Sequence, residues 1–419
     1  MAKKIVLIAL LVAVIILVAG IIFFELDPEN ANINYEQANA QNETDKTIRF
    51  DKNGKLKILH IADTHLNYDK HFDASVWVIA EACDVEKPDL VVLTGDNTHP
   101  NEDPEKTKKL INALMNIFES RKIPVAVTFG NHDSEGGPMT REDIMEYYQT
   151  FSCVISIDNS ENFKNCATFN VPVLASDSDK VKFNLWVFDS GDYDEDEPRH
   201  YDRVRTEQIE WYKKTAAKLK KENDGKTVNS VVFQHIIVPE IYDVLKKSDS
   251  KQPYAIKHIY NEEEFYMFDS EEVNYGTLNE KPCPGYYNDG QFDALVETGD
   301  VLAMFTGHDH TNAFGVRNQN IDIYTSPMTR YKGLAYTTQY GYRVVEIDEK
   351  DTSTYETRVE RLYDVFDFDY IKTAKDNGDK YSTRLAFELA VKGSVQEGFM
   401  KLYQSVVELI TGRQVTYPD

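Results

Sequence analysis

The chain is short of positive charge: 46 lysines and arginines stand against 70 aspartates and glutamates in 419 residues, a formal net charge of −24. Affinity for polyphosphate backbones rests mainly on Lys and Arg, so a nucleic-acid partner is not expected. A small anionic substrate stays open if bound cations neutralise it locally. Cysteine is scarce as well. Cys83, Cys153, Cys166 and Cys283 are the only four, with no C-x-x-C spacing to suggest a thiolate metal site. Cys153 and Cys166 either close a short loop as a disulfide or lie, like the others, as plain buried thiols. A chain this long with ordinary hydrophobic content can bury a large core without cross-links, so one large domain with appendages is expected.

One apolar run stands out. After Met1-Ala2-Lys3-Lys4 the sequence continues from Ile5 to Phe24 without a charge, about 30 Å as a helix and enough to cross a bilayer. Phe23-Phe24-Glu25-Leu26 ends it in place of a small-x-small cleavage site, which favours an uncleaved signal anchor over a secreted, cleaved product. Lys3 and Lys4 then stay cytoplasmic, and everything after the anchor lies outside the cell membrane. From Glu25 to Thr47 the sequence is rich in Asn, Gln, Ala and Glu and lacks apolar periodicity, so it reads as a flexible linker.

The globular part is organised around Leu90-Val91-Val92-Leu93-Thr94-Gly95-Asp96-Asn97. Four apolar residues read as a buried strand, and Thr94-Gly95 stops it so that Asp96 emerges at its C-terminal edge, where open α/β sheets place ligands. A carboxylate there can bridge two cations. Upstream, the alternating strand Lys55 to Ala62 ends in Asp63-Thr64-His65, which offers an oxygen and an imidazole nitrogen on one side. A helix from about Asp73 to Glu86 joins the two strands as a βαβ unit, implying that they run parallel. A second helix starts at Asp103-Pro104, and the strand Ile123 to Phe129 then ends in Gly130-Asn131-His132-Asp133. Asn131 supplies a neutral ligand oxygen. His132 can act as acid toward a leaving group, oriented by a carboxylate such as Asp133 or another acid near it.

These three phrases, in this order, resemble the calcineurin-like metallophosphoesterases, and Thr94-Gly95-Asp96-Asn97 resembles the purple-acid-phosphatase-like branch. The family pattern adds one later His and a final Gly-His-x-His. His235 follows the apolar Val231-Val232-Phe233-Gln234, and Gly307-His308-Asp309-His310 follows Val301 to Thr306. Five of the ten histidines fall within these phrases. The resemblance implies a four-layer α/β sandwich of two mixed β-sheets flanked by helices over residues 48–362, carried behind the transmembrane helix at 5–24 and the linker at 25–47, with a C-terminal helical extension at 363–419. It also implies a metallophosphoesterase that hydrolyses phosphate esters with a metal-bridging hydroxide at a binuclear centre. Asp63, His65, Asp96 and His310 would hold one ion, and Asp96, Asn131, His235 and His308 the other. The donors are all oxygen or nitrogen and suit Mn, Fe or Zn. His132 would protonate the leaving alkoxide or hydrogen-bond to the phosphate, with Asp133 or another nearby acid beside it, and Asp309 would be a turn residue or would orient a ligand.

One position departs from the branch. Purple acid phosphatases carry a metal-binding Tyr three residues after the bridging Asp, where this chain has His99. His99 reads either as a loop histidine or as a replacement ligand, and the tyrosinate colour should be missing. The substrate is expected to be a small phosphate ester, with a phosphodiester or nucleotide hydrolase and a non-catalytic anchored binding protein as alternatives. Among the remaining stretches, the acidic loop Asp192 to Glu197 reads as solvated, and Glu207 to Lys221 as a helix. Tyr254 to Tyr287 reads as a candidate lid, and Arg330-Tyr331 as surface residues that could touch substrate. Residues 321–324, 342–347 and 355–359 read as strands of the second sheet. A tail helix with Phe399, Leu402, Tyr403, Val406, Val407 and Ile410 on one face is expected to pack back on the domain.

Overall fold

The apolar runs become strands covered on both faces. In β1 (Lys55–Ile61), Leu56 and Ile58 point into one core while Leu59 and Ile61 point into another, as the two-residue period of a strand requires. β2 (Leu90–Leu93) and β3 (Val125–Val127) divide their side chains the same way, with Leu90, Val92 and Ala126 against Val91, Leu93, Val125 and Val127. Burial on both sides is why these runs read as uniformly apolar. The helices α1 (Phe72–Glu86) and α2 (Pro104–Arg121) are the crossovers that leave β1, β2 and β3 parallel. α2 starts at Asp103, whose carboxylate accepts from the Glu105 N–H at 3.1 Å. α3 (Arg141–Tyr148) follows β3, opened by a capping box between Thr140 and Asp143.

The second half repeats the plan. β4 (Phe169–Leu174), β5 (Val181–Phe188), α4 (Thr206–Glu222) and β6 (Ser230–Gln234) come first. β7 (Leu245–Ser248), β8 (Ile256–Lys257) and β9 (Phe265–Phe268) form a small antiparallel sheet of their own. Next come β10 (Val273–Thr277), α5 (Gln291–Thr298), β11 (Val301–Thr306), β12 (Ala313–Asn318) and β13 (Ile321–Thr325). The strands β14 (Gly341–Asp348) and β15 (Asp351–Arg361) precede the helices α6 (Leu362–Val365), α7 (Phe368–Asp376) and α8 (Lys380–Thr411). This architecture comes from a computed structural model that describes residues 34, 36–37, 44–249, 252, 255–268, 273–332 and 339–411.

Two large mixed sheets result, ordered β15-β14-β1-β2-β3 and β10-β12-β13-β11-β6-β5-β4. They share an inner core in which Leu56, Ile58 and Val92 meet Phe183, Leu185, Phe233 and Phe305. Outside one sheet lie α1, α2 and α3, and outside the other α4 and α5, so the expected mixed sandwich with flanking helices is present. Among the described residues no helix is long and apolar enough to cross a membrane. The expected anchor at 5–24 lies outside the described residues.

Several local expectations are corrected. β13 does join the second sheet, but β14 and β15 add to the edge of the first, with Ile58 opposite Val345. Periodicity makes a strand without naming its neighbour. β4 contains Pro172, a poor sign for a strand, yet β4 is an edge strand, where a missing N–H is tolerated. The stretch read as a candidate lid supplies β8, β9 and β10, and Tyr266 is buried in the second core. Of the tail, Leu385, Ala386 and Leu389 pack on the first core. Phe399 and Leu402, on the face expected to pack, are exposed, and the side chains of Tyr403, Val406, Val407 and Ile410 lie outside the described ones. All four cysteines are free thiols, three of them buried.

Candidate metal centre

The expected ligands sit just past the C-terminal ends of parallel strands. Asp63 and His65 follow β1, Asp96 follows β2, Asn131 and His132 follow β3, His235 follows β6, and His308 and His310 follow β11. Asp63, His65, Asp96 and His308 all adopt positive φ, at 55°, 42°, 50° and 72°. Left-handed backbone costs a non-glycine residue roughly 1–2 kcal/mol, and such strain collects at functional sites. The loops also press together. A Cβ on Gly95 would stand 2.0 Å from the Gly130 nitrogen, and one on Gly130 would stand 2.3 Å from an Asp96 oxygen, so both turns need glycine.

The side chains converge into two groups with one shared member. Ligand atoms of Asp63, His65, Asp96 and His310 lie within 4.8 Å of one another, and those of Asp96, His235 and His308 do likewise. Asn131 Oδ1 is 3.3 Å from His235 Nε2. Asp96 Oδ2 is buried without a hydrogen-bond partner, although the Nε2 atoms of His65 and His235 both stand 3.4 Å away. His65 Nε2 faces His310 Nε2 at 2.9 Å, and His308 Nδ1 faces His235 Nε2 at 3.2 Å. Lone pairs outnumber protons here, and a divalent cation in each group would satisfy them. The residues fit the ions.

The charge states agree with this. Burial holds His65 and His308 well below the usual imidazole range and His310 down at about 4, so all three present free lone pairs. Burial pushes Asp63 up to about 7, with His235 opposing and Asp96 adding to the rise. Burial also pulls His235 toward neutrality, but the facing Asp96 carboxylate outweighs it and raises the ring to about 9. Asp96 is held well below the carboxylate range, because the charge of His235 overcomes its own burial.

Beside the ligands, the expected partner of His132 is corrected. Glu135, not Asp133, pairs with His132 Nδ1. The Asp133 carboxylate is turned inward and accepts from the N–H groups of Asp96 at 2.7 Å, Asn97 at 2.9 Å and Gly130 at 2.7 Å. It clamps the two ligand loops together, and a carboxylate engaged by backbone donors is not free to swing toward the imidazole. His99 Nε2 stands 2.7 Å from His65 Nδ1, outside both ligand groups, so it bears on the far side of a ligand ring. Asp309 accepts from the Cys283 N–H at 3.2 Å and Asn312 Nδ2 at 3.3 Å, which is the turn role. Arg330 and Tyr331 are buried rather than on the surface. Arg330 donates to the His65 carbonyl at 2.6 Å and pairs with Asp69, so it supports the ligand loop. Glu135 and Tyr193 are additions that the sequence does not single out; Tyr193 sits in the acidic loop and its hydroxyl reaches Asn131 Nδ2 at 3.1 Å.

Residues 56–312 match the calcineurin-like phosphoesterase family. The chain belongs to that family. It is 27% identical over 300 residues to the probable inactive purple acid phosphatase 29 of Arabidopsis thaliana, covering 64% of this chain and 70% of that one. To the probable inactive purple acid phosphatase 14 of the same plant it is 28% identical over 344 residues, covering 73% and 79%. To phosphatase DCR2 of Saccharomyces cerevisiae it is 25% identical over 292 residues, covering 64% of this chain and 46% of that one. These relatives put this phosphoesterase in the purple-acid-phosphatase-like branch. It is a metallophosphoesterase, an enzyme of phosphate-ester hydrolysis that works with divalent metal ions, and the two side-chain groups are the candidate sites for them.

Proposed function

We propose that the chain hydrolyses small phosphate esters at a two-metal centre in which Asp96 is the shared ligand. Asp63, His65 and His310 complete one site, and Asn131, His235 and His308 the other. The single observation that carries this reading is the position of Asp96, a buried carboxylate common to both ligand groups with one oxygen lacking any hydrogen bond. When bound, a pair of cations supplies a nucleophilic hydroxide at neutral pH and offsets charge on the phosphate in an in-line displacement. The protein's own residues do the rest. Asp133 locks the Asp96 and Asn131 loops in register. Arg330 holds the His65 carbonyl, and His99 meets that ligand's outer nitrogen, which orients the ring. His132, with Glu135 on Nδ1, presents Nε2 as the proton donor for the leaving alkoxide.

A second reading has a specific support. Three relatives carry the name probable inactive purple acid phosphatase, and this chain has His99 in place of the branch's metal-binding tyrosine. On that reading it would be a binding protein. Against it stands the complete set of seven ligand residues together with His132. A phosphodiester or nucleotide substrate would use the same ligands and differ in the surrounding loops.

One experiment separates these. Metal-free full-length protein in mild detergent is titrated with Mn, Zn or Fe(II), then assayed on an aryl phosphate and its diester. About two ions per chain are expected, with turnover on at least one ester. Metal ligands must be deprotonated to bind. His235, raised to about 9, is protonated at neutral pH, and Asp63, raised to about 7, is partly so. Loading at pH 7 should therefore release protons, from these two ligands and from the water that becomes hydroxide, and affinity should rise with pH until His235 has titrated. Two ions without turnover would favour the binding protein, and no bound ion would sink the catalytic reading and leave the binding protein. We further propose that residues 5–24 anchor the enzyme in the cell membrane with the phosphoesterase domain outside. Protease added to intact cells should then remove the domain; full protection would place it on the inner face.

A further inference from the structure

One hydroxyl stands between parts of the site that hydrolysis uses for different purposes. Tyr193 Oη donates to Glu135 Oε1 at 3.3 Å and accepts from Asn131 Nδ2 at 3.1 Å. The other oxygen of Glu135 meets His132 Nδ1. A phenol has one proton, and an ionised carboxylate can only accept. Because that proton is given to Glu135, the hydroxyl must face the amino side of the Asn131 amide. The amide oxygen is then turned the opposite way, toward His235 Nε2 at 3.3 Å, where a ligand oxygen belongs. With the amide turned over, two N–H donors would face the cation. The same tyrosine has a second hold on this ion's surroundings: its ring stacks on Tyr201 with centroids 5.7 Å apart, and Tyr201 meets His308 edge to face at 4.3 Å.

We propose that Tyr193 is a positioning residue for the ion held by Asn131, His235 and His308, setting the Asn131 amide with its oxygen toward that ion and linking this setting, through Glu135, to His132. The inference rests on the two-ion reading above. It gives the acidic loop Asp192 to Glu197 a role in the site, since Tyr193 is carried on it. It also makes Glu135 a residue that faces both ways, with one carboxylate oxygen on the proton donor and the other on the group that orients a ligand. Occupancy of this one ion and the orientation of His132 are thereby coupled through three hydrogen bonds.

The test is a Mn(II) titration of the metal-free full-length protein, followed by electron paramagnetic resonance, on wild type, Tyr193→Phe, Glu135→Gln and the double variant. Tyr193→Phe keeps the stacked ring and removes only the hydroxyl. It should weaken one of the two Mn(II) affinities by about 10–100-fold and leave the other within about twofold, as loss of an outer partner of a ligand does. Turnover should recover as Mn(II) is raised. Glu135→Gln should weaken the same ion although Glu135 does not reach it, because a Gln amide donates to the phenol and frees its proton to turn Asn131 over. The double variant should be no worse than Tyr193→Phe, since both act through one hydroxyl. A merely structural role would weaken both ions together and lower the melting temperature. Unchanged affinities in Tyr193→Phe, or equal loss at both sites, would overturn the proposal, and if that variant does not fold, Glu135→Gln decides it because its side chain is half exposed. Fewer than two ions in the wild type would instead overturn the two-ion reading on which this rests.

Discussion

Asp96→Asn should empty the centre of at least one ion and lower kcat by about 10³-fold or more, the loss expected when preorganised charge is withdrawn from the reacting group. The substitution keeps the shape of the side chain, so the loss reads out charge and ligand capacity rather than packing. Asp96 is fully buried, and its Oδ1 already accepts from the His132 N–H at 2.7 Å, which leaves Oδ2, without a hydrogen-bond partner, as the oxygen that would serve the ions. An Asn in its place has one oxygen and one NH2. If the oxygen keeps the His132 N–H, the NH2 points into both ligand groups and repels a cation from each. If the amide turns over, the oxygen can serve the ions but the His132 N–H loses its acceptor and the loop that carries the proton donor shifts. Either outcome damages both sites, which a substitution at Asp63 or His308 should not do. Elemental analysis against protein concentration gives the stoichiometry directly. Two tightly bound ions in Asp96→Asn would remove Asp96 from the shared position and with it the proposed architecture of the centre.

How much of this was visible in the sequence follows from where each residue's meaning lies. Asp63, Asp96, Asn131, His235 and His308 are each a ligand-type residue directly after an apolar run, so the chain itself shows both the strand and what it delivers. The sandwich itself was legible only through the family resemblance, because a strand apolar on both faces such as Leu90–Leu93 shows that both sides are covered without saying whether helices or a second sheet cover them. Partner choice was not legible. β14 could have extended either sheet, and only its antiparallel pairing with β1, Ile58 opposite Val345, decides it. The supporting residues were hidden for a related reason. Glu135 lies in Ser134-Glu135-Gly136-Gly137, an ordinary turn by composition, and its role appears only once His132 folds over it. Asp133 carries the opposite risk: its place next to His132 in sequence offers it as the partner, but neighbours in a tight turn often point apart, and the N–H groups of the Asp96 loop take its carboxylate. Arg330 was expected on the surface because arginine is rarely buried alone, and here Asp69 and the His65 carbonyl are the partners that allow its burial.

His132→Ala should separate the proton-transfer part of the chemistry from the metal part. His132 is absent from both ligand groups, so ion content and affinity should stay close to wild type. Its contribution is to give a proton to the departing oxygen, which is worth about 10²–10⁴-fold in general acid catalysis. The size of the loss should depend on the leaving group. An alkyl phosphate releases a strongly basic alkoxide and needs the full contribution, while a nitrophenyl phosphate releases a stable anion and needs little of it. The ratio of the two kcat values should therefore widen in the variant, with KM nearly unchanged if the imidazole acts only in the transition state. An equal loss for both esters, accompanied by a rise in KM, would mean that His132 holds the phosphate rather than protonating the alkoxide. Glu135→Gln, assayed at Mn(II) high enough to restore the ion it weakens, provides the internal comparison: it leaves the ring in place but removes the carboxylate that orients it. It should reproduce the same leaving-group dependence at a smaller amplitude, because the donor is still present but less well aimed.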